Sequence, residues 1–322
     1  MLKVKLFGSG QASLDDLHLA SFPSQQPHLL LCYLLLNSKF PHLRDQLASV
    51  FWGEYSTQAS RKYLRNGLWK LRQMFDAARA SLDDYLFVSD ESVTFIRSSS
   101  YWLDVENFEI AVETYQDVRG QNLTPDQSCE LEMAVEFYLG DLLEGADYDW
   151  CIYERERLSL LHLEALGKLM AYHEAQGGWE RGLAYGERIL GRDNTREKVH
   201  LRMMRLYWLS GNRAAALAQY KRCAQILREE LGIAPLQETT AVYQQMIHNQ
   251  YAPEVLRAGH VSISNGRNGK PDVSDQKLQA LAEKALQRVQ VLQRMLEETN
   301  AELRQIETLI QTDLIHSEKA QS

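Results

Sequence analysis

The stretch from Ala59 to Asp76, ASRKYLRNGLWKLRQMFD, leaves little freedom in what it can fold into. Leu64, Leu68, Leu71 and Phe75 recur at i, i+4, i+7 and i+11, which gathers them into one stripe of an α-helix. That stripe must dock on a core. The opposite face carries Lys62, Arg65, Asn66, Trp69 and Gln73, with Gln58, Arg61 and Arg72 on its flank. These side chains suit phosphates and base edges. The helix holds five Lys/Arg (Arg61, Lys62, Arg65, Lys70, Arg72) against one acid, Asp76, whereas the whole chain has 35 basic and 43 acidic residues and net charge −8. Positive charge concentrated on one face of an acidic chain points to a DNA-reading helix.

The neighbouring segments fit that reading. Arg44 to Trp52 (RDQLASVFW) places Leu47, Val50 and Phe51 on one side of a shorter helix, and the polar loop Gly53, Glu54, Tyr55, Ser56 through Gln58 separates it from the basic helix. Helix, short turn, basic helix is a helix-turn-helix arrangement. Tyr85 to Val88 and Val93 to Ile96 read as two strands around the turn Ser89-Asp90-Glu91-Ser92, which predicts a wing.

Several further segments carry a family resemblance. In the first half they are Val4 to Gly10 (VKLFGSG), Phe22 to Asn37, Pro41 to Trp52, the Leu64-Arg65 and Leu71-Arg72 pairs, and Trp102 to Phe108 (WLDVENF). In the second half they are Tyr138 to Gly145 (YLGDLLEG), Trp150 with Glu154 to Leu158 (ERERL), and Glu229 to Pro235 (EELGIAP). In this order, over roughly residues 2 to 250, they resemble the Streptomyces antibiotic regulatory protein (SARP) type of transcriptional activator. That type joins an OmpR-type winged helix to a bacterial transcriptional activator domain (BTAD). The resemblance implies binding of double-stranded promoter DNA at directly repeated half-sites read by side-by-side subunits. It also implies RNA polymerase as a partner, touched through the loop Gly53, Glu54, Tyr55, Ser56.

From about Val112 the pattern turns helical, and an internal repeat emerges when Gly177-Gly178-Trp179 is set on Gly211-Asn212-Arg213, 34 residues further on. Leu183 then falls on Leu217 and Ala184 on Ala218, the small residues expected where paired helices approach. That period is tetratricopeptide-like, with helices near Cys129 to Leu142 and Gln237 to His248 as flanking layers. Such a stack offers a surface for a peptide or protein ligand.

Between Tyr251 and Asp275 apolar periodicity lapses into Gly, Asn, Ser and Pro, the composition of a linker. Gly266 to Lys270 lacks the GxxxxGK[ST] spacing of a phosphate loop. Gln276 to His316 has no Gly or Pro and fits a heptad frame, with Val289, Leu296, Leu303 and Ile310 at a and Leu292 and Ile306 at d. This predicts a coiled coil that either self-associates, making the chain a homo-oligomer, or folds onto the body.

Composition narrows the class. The longest uninterrupted apolar run, Leu29 to Leu36, is eight residues, far below the ~18 that span a bilayer, so it predicts a buried helix and no membrane contact. The start MLKVKLFGSG has no hydrophobic signal region. Four scattered cysteines without CxxC spacing, and histidines that do not join them, predict neither metal nor cofactor. His200 and His248 read as ordinary helix residues. The acid pairs Asp15-Asp16, Asp83-Asp84 and Asp147 with Asp149 read as turns and caps, and neither GxSxG nor HExxH occurs, so no enzyme is expected.

The sequence therefore predicts a mainly α protein. A winged helix-turn-helix with small β elements spans 1–108, an all-α tetratricopeptide-like domain 109–250, a linker 251–274 and a coiled-coil helix 275–316. Function is expected in the cytoplasm, at the nucleoid, as a DNA-binding activator. The competing class is an interaction scaffold whose winged helix only docks, an idea supported by the balance of 11 basic and 12 acidic residues over positions 1 to 110.

Overall fold

The computed structural model describes residues 1–21 and 26–251. The linker and coiled-coil expectations, with Val289, Leu292, Leu296, Leu303, Ile306 and Ile310, lie outside the described residues.

Period-two alternation builds the first sheet. Leu2 and Val4 of β1 (Leu2–Lys5) and Ala12 and Leu14 of β2 (Gln11–Leu14) are buried, and the antiparallel register sets Leu2 opposite Leu14 and Val4 opposite Ala12. β3 (Leu17–Ser21) extends this sheet on one side. A late strand, Tyr101–Leu103, joins the other side of β1 in parallel. Asp15 and Asp16 make the β2–β3 turn in left-handed backbone, as the acid-pair reading implies.

α1 (Gln26–Leu36) buries Leu29, Leu30, Leu31, Cys32, Leu34 and Leu35, which accounts for the uninterrupted apolar run. β4 (His42–Leu43) leads into α2 (Arg44–Trp52), and α3 (Thr57–Ala77) follows. β5 (Leu86–Val88) and β6 (Ser92–Phe95) pair antiparallel as the wing, with β4 on the far side of β6. Tyr101–Leu103 is β7 in this numbering. Gly67 lets α3 approach α2: a Cβ there would sit 3.3 Å from Trp52 Cη2 and 3.8 Å from Leu30 Cδ2.

The remainder is helical: α4 (Asp104–Thr114), α5 (Pro125–Val135), α6 (Asp149–Ala175), α7 (Trp179–Arg192), α8 (Glu197–Leu209), α9 (Arg213–Ile226) and α10 (Gln237–Ile247). The boundary expected at 108/109 falls inside α4. The 34-residue repeat is visible in backbone chemistry. Gly177 and Gly211 both take left-handed φ, and Gly178 N–H to His173 O and Asn212 N–H to Tyr207 O are both 2.8 Å.

Two expectations need correction. Ala184 and Ala218 are exposed, and the close approach falls two residues earlier, at buried Gly182 and Ala216. A Cβ on Gly182 would lie 3.0 Å from Leu206 Cδ1. The helix expected to run from Cys129 to Leu142 stops at Val135. The chain instead folds back, with Leu143 in left-handed backbone. It pairs with the end of β1: Leu143 N–H donates to Leu6 O at 2.8 Å, Gly8 N–H to Asp141 O at 2.8 Å and Glu144 N–H to Gly8 O at 2.9 Å. Arg155 of α6 locks this strap by donating to the carbonyls of Leu142, Leu143 and Ala146 at 2.5–2.7 Å.

One core consequently runs from Leu2 through the winged helix into α6, α7 and α8, while Leu201, Met204, Ala216, Val242 and Met246 form a second cluster under α10. Trp150 packs edge-on against Tyr33 of α1, 5.3 Å between ring centroids, and Tyr148 lies 5.6 Å from Phe51 of α2. Among the described residues no helix is long and apolar enough to cross a membrane.

Candidate nucleic-acid interface

The fold presents α3 as its sequence pattern requires. Ser60, Leu64, Gly67, Leu68, Leu71 and Phe75 are buried, and Gln58, Arg61, Lys62, Arg65, Asn66, Trp69, Arg72 and Gln73 are all exposed. Trp69 is 58% exposed, so its indole lies outside the core. Ser60, which the sequence did not single out, anchors the start of the helix: its hydroxyl donates to Trp52 O at 2.6 Å. The connecting loop Gly53 to Ser56 is exposed, and its Tyr55 packs on Tyr63 at 4.9 Å.

Two of the expected phosphate ligands are already engaged. Arg61 forms a bidentate pair with Asp45 of α2, Nε to Oδ1 2.7 Å and Nη2 to Oδ2 2.6 Å. The Arg61 hydrogen bonds hold the Asp45 carboxyl below its usual range. Arg72 Nη2 donates to Asp83 at 2.5 Å. Lys62, Arg65, Asn66 and Gln73 enter no ion pair or side-chain hydrogen bond among the described residues.

The wing closes one side of α3. Leu43, Arg44, Asp45, Thr57, Gln58, Arg61, Leu64, Arg65, Asp90 and Glu91 line an open groove of about 1030 Å³ between α3, the start of α2 and the wing turn. Its charge is balanced, three arginines against three carboxylates. Among the described residues no cluster of His, Cys, Asp and Glu could hold a metal ion. His200 is fully buried, with Nε2 2.8 Å from Asn194 O and Nδ1 2.8 Å from Gln219 Nε2, an ordinary core arrangement.

The bacterial transcriptional activator domain family matches residues 103–247. The regulatory protein AfsR of Streptomyces coelicolor is 23% identical over 258 residues, which cover 80% of this chain and 25% of that protein. The chain thus spans about a quarter of the length of that curated relative. A solved structure of Mycobacterium tuberculosis EmbR, in complex with a low affinity phosphopeptide, shares the fold at TM-score 0.62 and 20% identity, covering 81% of this chain and 70% of that one. With a stretch that matches the bacterial transcriptional activator domain family behind its winged helix, the chain is similar to the Streptomyces antibiotic regulatory protein type.

Proposed function

We propose that the chain is a sequence-specific DNA-binding transcriptional activator. The observation that carries this reading is the outer face of α3, where Lys62, Arg65, Asn66, Trp69 and Gln73 stand exposed. In this reading α3 enters the major groove. Arg65 bridges guanine O6 and N7, Asn66 pairs with adenine N6 and N7, and Trp69 packs on sugar or a thymine methyl. Lys62 holds phosphate, joined by Arg61 and Arg72 to the extent that Asp45 and Asp83 release them.

The activating step is recruitment of RNA polymerase through Gly53, Glu54, Tyr55 and Ser56, an assignment that rests on the family resemblance. The protein acts in the cytoplasm, at the nucleoid, as a homo-oligomer on repeated half-sites, and the helical hairpins α6–α7 and α8–α9 offer a surface to a peptide or protein.

Fluorescence anisotropy with DNA from upstream of the protein's own gene and with random duplex, each at two salt concentrations, tests the reading. Arg65→Ala should weaken binding to a preferred sequence about ten- to a hundredfold and relax preference at one base pair, while Lys62→Ala weakens all sequences evenly. If neither duplex is bound at low salt, the scaffold reading replaces this one.

A further inference from the structure

The wing turn carries acid on the side where DNA would lie. Asp90 and Glu91 form its tip, are exposed, and enter no ion pair among the described residues. The turn itself is tied down by other groups. Ser89 N–H donates to Ser92 O at 2.9 Å, and Ser92 N–H and Glu91 N–H donate to Ser89 Oγ at 3.0 and 3.3 Å. From α2, Arg44 donates its backbone N–H to Glu91 O at 2.9 Å and its Nη1 to Ser89 O at 3.0 Å. The tip is therefore held against the start of α2, beside the N-terminal half of α3.

In the groove shared by the wing and α3, Asp90 and Glu91 cancel the two arginine charges that no other carboxylate of the groove meets. Of its three arginines, Arg61 is paired with Asp45, while Arg44, bonded to the turn backbone, and Arg65 keep their charge in the same groove as Asp90 and Glu91, which leave it without net positive charge for a phosphate. A wing that gripped the backbone of DNA would need Lys or Arg at its tip, because affinity for the duplex comes from neutralised phosphates.

We infer that Asp90 and Glu91 act as an electrostatic brake: they repel the phosphates flanking the site of α3, so the wing does not clamp the duplex and base reading by α3 decides where the protein stays. The inference rests on the DNA-binding reading above. Sequence-independent binding is driven by phosphate charge, and a genome offers a vast excess of competing sites. Two fixed carboxylates beside the reading helix lower that background without touching the base contacts of Arg65 and Asn66.

The test uses the full chain, random duplex DNA and the upstream duplex, in anisotropy titrations from about 50 to about 200 mM salt. The Asp90→Asn/Glu91→Gln double variant should bind both duplexes about three- to tenfold more tightly at the low end, with the gain shrinking as salt screens it. Asp90→Lys/Glu91→Lys should bind more tightly still and steepen the salt dependence by about one to two released ions. The turn is held by Ser89 and Arg44, so both variants should keep the wild-type circular dichroism and melting profile. Unchanged affinity in both variants overturns the inference by placing the wing away from DNA. Weaker binding confined to the upstream duplex overturns it differently, by showing a carboxylate reading a cytosine N4 amino group. Failure of the DNA-binding reading itself looks unlike either result, since the wild type would then bind neither duplex.

Discussion

The backbone N–H of Leu6 donates to the carboxylate of Asp104 at 2.9 Å, joining residues 98 apart in the chain. Phe7 and Val105 add their N–H groups at 3.1 and 2.8 Å, and the carboxylate is only 3% exposed. Burial pushes this carboxyl above its ordinary range while the three amides pull it back. Asp104 thereby fastens the end of β1 to the start of α4. Asp104→Ala would orphan buried donors and should lower the unfolding free energy by about 3 kcal/mol in urea titration. An unmoved midpoint would mean that water replaces the carboxylate without loss.

His162 gives the fold a pH dependence. It is 5% exposed, neither ring nitrogen has a hydrogen-bond partner among the described residues, and its ring stacks on Tyr138 at 4.1 Å. Burial first, then the Arg188 and Arg192 charges, depress its pKa to about 4. The unfolded chain, with an imidazole pKa near 6.5, takes up the proton first. This contribution is therefore whole above about pH 6.5 and is lost as pH falls through 4, at most about 3 kcal/mol. His162→Phe should flatten stability against pH between about 7 and 5, and an unchanged slope would assign the acid sensitivity elsewhere.

Arg72 should matter less to DNA binding than its position on the helix wheel implies, because Asp83 already holds its guanidinium. Arg72→Ala is expected to cost under about threefold in affinity, well short of the loss at Arg65. Asp83→Asn should raise affinity for any duplex at low salt. Equal losses for Arg72→Ala and Arg65→Ala would show that DNA outcompetes the ion pair.

Gly67 and Gly191 offer a paired test of helix packing. Gly67→Val forces methyl groups toward Trp52, where a Cβ already stands 3.3 Å from the indole, and should cost about 1–3 kcal/mol. Gly191 in α7 has open space around its Cβ position, so Gly191→Ala should stabilise by about 0.5–1 kcal/mol. Thermal melts of both variants check the signs.

The heptads of Gln276 to His316 call for a separate measurement. Truncation after Gly259 should reduce the subunit number in light scattering, and Leu296→Asp with Leu303→Asp should do the same in the full chain. If both keep the wild-type mass, the segment does not assemble the protein.

Short-range periodicity made the helix-turn-helix and its wing legible in the sequence. The stripe of Leu64, Leu68, Leu71 and Phe75 defined α3 and its exposed face, and the alternation either side of Ser89-Asp90-Glu91-Ser92 defined the wing. The bounds of α2 followed in the same way. These patterns are set by each residue's neighbours within a few positions, so a single chain suffices to show them. The repeat of helical hairpins was legible too, but the residue at the contact was not: phase gives the buried face of α7, while its packing on Leu206 selects Gly182 over Ala184.

What the sequence by itself determined, then, is which segments form helices and strands, which faces they bury and where positive charge collects. Tertiary structure alone decided which charges remain available, because Asp45 meets Arg61 and Asp83 meets Arg72 only once separate elements pack. It alone ended α5 at Val135, since the turn beyond it exists to pair with Leu6 and Gly8 across the molecule. Local pattern fixes an element's own geometry, whereas ion pairs and backbone pairing between distant segments depend on their mutual placement, which no short window of residues encodes.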